Sequence, residues 1–94
     1  MDWRDPPSSL NKMKILPIHK DIEIYLKKHF LEKKFSKQIS ILSINISYPS
    51  LEVELLKPKH LKIWSFRVDK KYRAIFIFHD SKTIEILDVN NHYK

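Results

Sequence analysis

The sequence predicts an α+β domain in which an N-terminal helix or helix pair packs on a twisted antiparallel sheet of about four strands. The first observation is a change of period, because apolar residues recur at helical spacing before Pro49 and at strand spacing after it. The second is size, because 94 residues with 43% hydrophobic side chains suffice for one core and not for two. We therefore expect a single domain.

The N-terminal segment carries no periodic pattern. Residues 1–12 are mostly polar and contain the pair Pro6-Pro7, which predicts a flexible lead or a cloning remnant ahead of the domain at 13–94. Met13–Ile18 is a short apolar run that contains Pro17, and it is compatible with an edge strand. The folded domain is expected to begin with this run.

Residues 19–44 follow a helical period. Their apolar side chains recur about every four residues and form one stripe: Ile18, Ile22, Leu26, Phe30, Leu31, Phe35, Ile39 and Leu42. The stripe predicts either one long helix or two packed helices. The lysines between Lys12 and Lys37 fall on the outer face, where a solvated surface is the simplest interpretation.

Four strands are predicted after the break at Tyr48-Pro49-Ser50, at 51–56, 61–68, 72–78 and 83–89. Patterning favours a three-residue loop, Asp69-Lys70-Lys71, between the second and third of them. This loop sets three apolar pairs on one face, namely Val68 with Tyr72, Phe66 with Ala74 and Trp64 with Phe76. A two-residue turn would instead mix apolar and charged residues on each face.

The same register places Arg67 directly opposite Arg73 on the other face of the sheet. Two opposed like charges destabilise a sheet unless an anion lies between them. The pair therefore indicates an anion site. The structural alternative is local neutralisation, because a four-residue turn at 79–82 would set Arg73 opposite Asp88 as a salt-bridged strand residue.

The composition excludes several classes of protein. Glycine is absent, which removes the glycine-rich phosphate loops of nucleotide-binding enzymes, so no cofactor is expected. Cysteine is also absent, so neither disulfides nor thiolate metal sites are available, as suits a cytoplasmic protein. No apolar run is long enough to span a bilayer, for which ~20 residues are needed. No membrane association and no metal are predicted.

The charge indicates a polyanionic partner. Eighteen lysines and arginines stand against 11 acidic residues, which gives a net charge of +7. In a small domain such a balance is typical of nucleic-acid binding, with a merely soluble basic surface as the alternative.

Three short motifs follow one another in the second half of the chain: Trp64-Ser65-Phe66-Arg67, Tyr72-Arg73-Ala74-Ile75-Phe76 and, near the end, His92-Tyr93. In this order and spacing they resemble the RelE/ParE-like toxin superfamily of type II toxin–antitoxin systems. Within it, the chain is most similar to the YoeB-like and RelE-like mRNA interferases that end in a His-Tyr pair. The resemblance extends over about Ile18–Lys94 and implies the same α+β fold.

The resemblance also implies catalytic residues. Arg73 matches the arginine that contacts the scissile phosphate, and His92 and Tyr93 match the terminal pair. Glu54 matches a glutamate that some members use as a base, although Glu52 lies close enough to compete for that role.

A basic segment completes the resemblance. Loop Lys57-Pro58-Lys59-His60 carries residues of the kind that many relatives place against RNA. The stretch from Lys57 to Arg73 holds seven lysines and arginines and a single acidic residue, Asp69. We therefore expect an RNA-facing surface formed by Lys57, Lys59, His60, Lys62, Arg67, Lys70 and Lys71.

These residue types suit metal-independent cleavage by the 2′-hydroxyl of RNA itself. Such a reaction needs a base, an acid for the leaving oxygen, and cations on the phosphate. Histidine titrates near neutrality, so His92 suits either proton role, and Tyr93 could stack on a base or orient the nucleophile. Arg73 offers a planar fork to phosphate oxygens.

The resulting hypothesis is a toxin that cleaves mRNA, on the ribosome as the resemblance implies, with a cognate antitoxin as partner. Two alternatives remain. One is a non-catalytic toxin of the gyrase-inhibiting branch, whose members lack the His-Tyr ending. The other is a basic module that binds nucleic acid without cutting it.

Overall fold

The computed structural model of the protein describes residues 12–91. The predictions for residues 1–11 and for the tail 92–94 lie outside this part of the chain. The described chain contains two helices and one five-stranded sheet, with these bounds: β1 Lys14–Ile15, α1 Lys20–Lys28, α2 Glu32–Ile44, β2 Glu54–Leu55, β3 Trp64–Arg67, β4 Arg73–Asp80 and β5 Thr83–Asn90.

The sheet has the order β1-β5-β4-β3-β2. β1 pairs with β5 in parallel, and the other neighbours are antiparallel. The α+β prediction is confirmed, with one difference. The run at 13–18 adds a fifth, parallel edge strand, because the chain crosses from β1 through both helices before it returns to the sheet.

Two helices form rather than one, because the backbone at Phe30 turns left-handed, with φ of 57°. The N–H of Leu31 still bonds the carbonyl of Leu26 at 2.8 Å and closes the end of α1. Most of the predicted apolar stripe lies in the core, but Phe30 does not. Its exposure is 89%, so its assignment to the stripe was wrong.

The core lies between the helices and one face of the sheet. Helix residues of the core are Ile22, Leu26, Leu31, Phe35 and Leu42, and sheet residues are Phe66, Ala74, Phe76, Ile84, Ile86 and Val89. At ~1.5–3 kcal/mol for each large apolar side chain, this burial is the main stabilising term of the fold. It leaves the opposite face of β3 and β4 uncovered by the helices.

The central hairpin has the predicted register. Trp64 pairs with Phe76, Phe66 with Ala74, and Arg67 with Arg73. The predicted first strand, 51–56, is shorter than expected. Its beginning forms a 3-10 helix at Pro49–Leu51 followed by left-handed Glu52, so only Glu54–Leu55 pairs with β3.

The alternative pairing of Arg73 with Asp88 was wrong. Arg73 lies opposite Asn90, and Asp88 lies opposite Ile75. The difference arises because Asp80 pairs with Thr83 across a two-residue turn, and the register shifts twice along this hairpin. Arg73 is therefore not neutralised by β5 in the way the sequence suggested.

A buried glutamine joins α2 to the sheet. Gln38 is 6% exposed, and its side-chain amide donates to the carbonyl of Arg67 at 2.7 Å and to that of Ser50 at 3.1 Å. These bonds fix the end of β3 and the turn before Glu52 relative to the helix.

We expect Gln38→Leu to lower the free energy of unfolding by ~1–3 kcal/mol, because two carbonyls lose their donor in a buried place. Chemical denaturation measures the change. Lys37→Leu, on the exposed side of the same helix turn, controls for the added apolar side chain. Equal stability of the two variants would contradict the prediction.

Candidate functional site

The open face of the sheet carries the arginine pair. Residues that pair across antiparallel strands point to the same side, so Arg67, Arg73, Ser65 and Ile75 share the face opposite the helices. The β3–β4 hairpin therefore projects two guanidinium groups from neighbouring strands at one end of the sheet, next to the loop that joins them.

Arg73 is held rigidly. Its side chain is 11% exposed. Nε donates to the hydroxyl of Ser65 at 3.1 Å, and Nη2 donates to the backbone carbonyl of Glu52 at 2.5 Å. Nη1 lies 3.8 Å from the Glu52 carboxylate. At this distance Nη1 forms an ion pair, and no short hydrogen bond, with the carboxylate.

Glu52 supplies the anion between the arginines. Its carboxylate accepts a hydrogen bond from Arg67 at 2.8 Å and faces Arg73 at the longer distance given above. The left-handed backbone of Glu52, with φ of 44°, is sterically costly for a residue with a Cβ. Here it brings both the carbonyl and the carboxylate of one residue to the arginine pair.

The β3–β4 loop closes one side of the site. A small cavity lies here, and it is lined by Glu52, Arg67, Asp69, Lys70 and Arg73. Lys70 and the arginine pair give this cavity a positive character, and Glu52 and Asp69 partly offset it. The arginine pair thus shares this cavity with two carboxylates, and its role as an anion site stays a prediction.

Asp69 shapes this loop without glycine. Its Oδ1 accepts the N–H groups of Lys71 at 2.8 Å and Tyr72 at 2.9 Å, and Lys34 lies 3.1 Å from the other oxygen. Burial alone would raise the pKa of Asp69, but these hydrogen bonds and the Lys34 charge hold the pKa below its usual value. The ionised carboxylate thus stabilises the turn that sets the arginine register.

Glu54 lies on the same open face, because it pairs with Ser65 across β2 and β3. Its side chain is exposed, and within residues 12–91 its carboxylate makes no hydrogen bond or ion pair. The two glutamates that compete for the role of base therefore differ in their surroundings. Glu52 is engaged by arginines, whereas the carboxylate of Glu54 is available to a ligand.

The predicted RNA-binding residues fall into two groups. Three lie at the β3–β4 end of the strand: Arg67 is the last residue of β3, and Lys70 and Lys71 lie in the loop that follows. The other four lie beyond the opposite end of β3, in the β2–β3 loop that contains a 3-10 helix at Lys59–Leu61. All four are exposed: Lys57, Lys59, His60 and Lys62. The basic segment thus flanks β3 at both ends rather than forming one cluster at the arginines.

The C-terminal tail starts beside Arg73, since Asn90 is its partner in the sheet. His92 is only two positions beyond Asn90 in the sequence. His92 and Tyr93 themselves lie outside the described residues, so their contribution to the site stays a prediction.

Two contributors were not anticipated in these roles. Ser65, 1% exposed, orients Arg73, and the backbone of Glu52 accepts from it. The serine could have been found from the sequence, because the correct hairpin register places it diagonal to Arg73 on the same face. The left-handed turn at Glu52 has no such signal.

A cluster of one carboxylate and two histidines lies near the other end of the sheet. Glu85 accepts from His79 and from His19, each at 2.7 Å, one on each carboxylate oxygen. These two hydrogen bonds hold the pKa of Glu85 below its usual value. The cluster joins the start of α1 to the β4–β5 hairpin and has no contact with the arginine pair.

Fold and site together define a class of protein: a two-helix, five-strand α+β domain whose open face presents an opposed arginine pair. The family model described as the RelE-like toxin of type II toxin-antitoxin system HigB matches residues 14–92. Because the match spans most of the chain, the protein belongs to this family of toxins. The predicted membership of the RelE/ParE-like superfamily is confirmed.

Solved structures share the fold. The YoeB/ParE toxin from Agrobacterium tumefaciens superposes with a TM-score of 0.64 at 20% identity, over 86% of this chain and 100% of that one. The YoeB dimer from Staphylococcus aureus superposes with a TM-score of 0.59 at 20% identity, over 87% of this chain and 97% of that one. The YoeB-YefM toxin-antitoxin heterotetramer of Staphylococcus aureus superposes with a TM-score of 0.60 at 20% identity, over 86% of this chain and 95% of that one.

No curated protein sequence matches this chain. Between residues 12 and 91, neither helix has the length and apolar character needed to cross a membrane.

Proposed function

We propose that this toxin is a metal-independent endoribonuclease that cleaves mRNA, on the ribosome, in the cytoplasm. The observation that carries the proposal is the opposed pair of Arg67 and Arg73 on the open sheet face, with a carboxylate lying between them. Opposed guanidinium groups that already hold one anion suit a phosphodiester, whose oxygens they can bind in forked geometry.

The roles follow from the surroundings of each group. Arg73, oriented by Ser65, stabilises the charge that builds up on the phosphate, and Arg67 assists it. Glu54 removes the proton of the 2′-hydroxyl. The oxygen then attacks phosphorus while the bond to the 5′-oxygen breaks. His92 donates a proton to that leaving oxygen, and Tyr93 positions the nucleotide.

Partners follow from the family and from the charge. The solved Staphylococcus aureus relatives include complexes of YoeB with YefM, an assembly of toxin and antitoxin. By analogy, this toxin binds a cognate antitoxin that masks it. The lysines of the β2–β3 and β3–β4 loops contact the backbone of the mRNA substrate. On the ribosome they also contact ribosomal RNA.

The chemistry of the products tests the proposal. With purified ribosomes programmed with mRNA, we expect cuts that carry a 2′,3′-cyclic phosphate and a 5′-hydroxyl. Those ends arise only when the 2′-oxygen is the nucleophile. Cuts with a 5′-phosphate would contradict the mechanism. A complete absence of cleavage would favour the gyrase-inhibiting alternative, which inhibition of gyrase supercoiling would then detect.

A further inference from the structure

Phe30 is the most exposed of the large apolar residues in the described chain, at 89%. It sits at the turn between α1 and α2, with φ of 57°, a conformation in which glycine or asparagine is the usual choice. A phenylalanine here adds steric cost and gives up the burial of its ring. Folding does not require this side chain, since the hydrogen bond from Leu31 to Leu26 uses only backbone atoms.

Lysines flank Phe30 in the sequence on both sides. We call the group the helix-tip patch, and its members are Lys27, Lys28, Phe30, Lys33 and Lys34. The four lysines are exposed, and the one acidic residue between Lys27 and Lys34 is Glu32. Within residues 12–91, Lys27, Lys28 and Lys33 form no ion pair, and only Lys34 does.

The helix-tip patch adjoins the candidate site. Lys34 pairs with Asp69 of the β3–β4 loop at 3.1 Å. The imidazole of His29 meets the hydroxyl of Tyr72 at 3.3 Å, and Tyr72 immediately precedes Arg73. Lys70 and Lys71 lie in the same loop. A positive surface therefore runs from the arginine pair over the loop to the exposed aromatic ring.

We propose that the helix-tip patch binds the single-stranded RNA that flanks the cleavage site, with Phe30 stacked on an unpaired base and the lysines on neighbouring phosphates. An exposed ring amid cations is the combination with which proteins hold single strands, because every base offers a face for stacking and every nucleotide a charge. The inference rests on the proposed RNase function and deepens it by naming a subsite for the substrate beyond the arginines.

Charge complementarity favours RNA over an apolar protein partner. Within residues 12–91, the sequence neighbours of Phe30 that are exposed are mainly lysines, so a docking protein would gain little apolar contact there. The arginine pair lies on the open face of the sheet and the helix-tip patch lies at the helices, so a bound strand would pass over the β3–β4 loop between them.

The test is the affinity for a fluorescein-labelled 2′-O-methyl oligoribonucleotide long enough to pass both places. This probe lacks the attacking hydroxyl and stays intact. We expect Phe30→Ala and Phe30→Leu to raise Kd by about 5- to 150-fold, the equivalent of one stacked base, and Phe30→Trp to keep the parent Kd. Lys27→Gln with Lys28→Gln should reduce the slope of log Kd against log salt concentration by about 1.4, that is by ~0.7 for each lost phosphate contact.

Ile44→Ala is the matched control, because Ile44 is an exposed apolar residue, 59% accessible, at the far end of α2. It should leave Kd unchanged. Parent-like affinity of Phe30→Ala, or of Phe30→Leu, would overturn the stacking role while the RNase function stands. A parent protein that fails to bind the probe at low salt would overturn the inference, and the product analysis above would decide the function separately.

Discussion

Replacement of Arg73 by alanine is expected to reduce the rate of RNA cleavage by ~10²–10³, the usual cost of one positioned donor to a developing negative charge. The effect should fall on kcat more than on KM, because the second arginine and the loop lysines still attract the phosphate. Single-turnover cleavage of ribosome-bound mRNA measures it. In bacteria, loss of growth arrest on induction should accompany the loss of rate.

The variant needs a control for stability, since Arg73 also satisfies the buried Ser65 hydroxyl and the Glu52 carbonyl. Loss of these two hydrogen bonds in Arg73→Ala should lower the free energy of unfolding by ~1–3 kcal/mol. Arg73→Lys keeps the charge and loses the fork, so it should show intermediate activity. Lys82→Ala removes an equal charge from the β4–β5 turn and should stay active. A folded Arg73→Ala protein that cleaves at the parent rate would disprove the role of the arginine pair.

The central hairpin could be predicted because its two faces differ so sharply in polarity. A shift of β4 by one residue would have buried Arg73 and exposed Phe76, so the pattern alone specified the three-residue loop and the pairing of Arg67 with Arg73. The helical stripe was informative for the same reason. In each case burial of apolar area outweighs local preferences.

The parts that could not be predicted depend on irregular backbone. Register shifts in the β4–β5 hairpin moved Arg73 from Asp88 to Asn90, and alternation of apolar residues gives no warning of a single extra residue. The left-handed turns at Phe30 and Glu52 were equally hidden, because the usual signal, glycine, is absent from this chain. Both turns place side chains that matter for the proposals.

The choice between the two glutamates yields the other large expected effect. Glu54→Gln should lower the cleavage rate by ~10²–10⁴, the contribution of one general base, with little change in stability because the side chain is exposed and has no partner within residues 12–91. Single-turnover rates against pH provide the measurement. In the parent, the cleavage rate should depend on pH through the protonation of the general base. In Glu54→Gln, this limb of the pH–rate profile should be absent.

Glu52→Gln is the matched comparison, since it removes the same charge from the carboxylate between the arginines. A general base must be free to accept a proton, whereas the Glu52 carboxylate is engaged by Arg67 at 2.8 Å. We expect this variant to bind RNA more tightly, because its arginines no longer hold a competing anion, and to retain the pH limb. The reverse result, with the limb lost in Glu52→Gln and kept in Glu54→Gln, would transfer the role of base to Glu52.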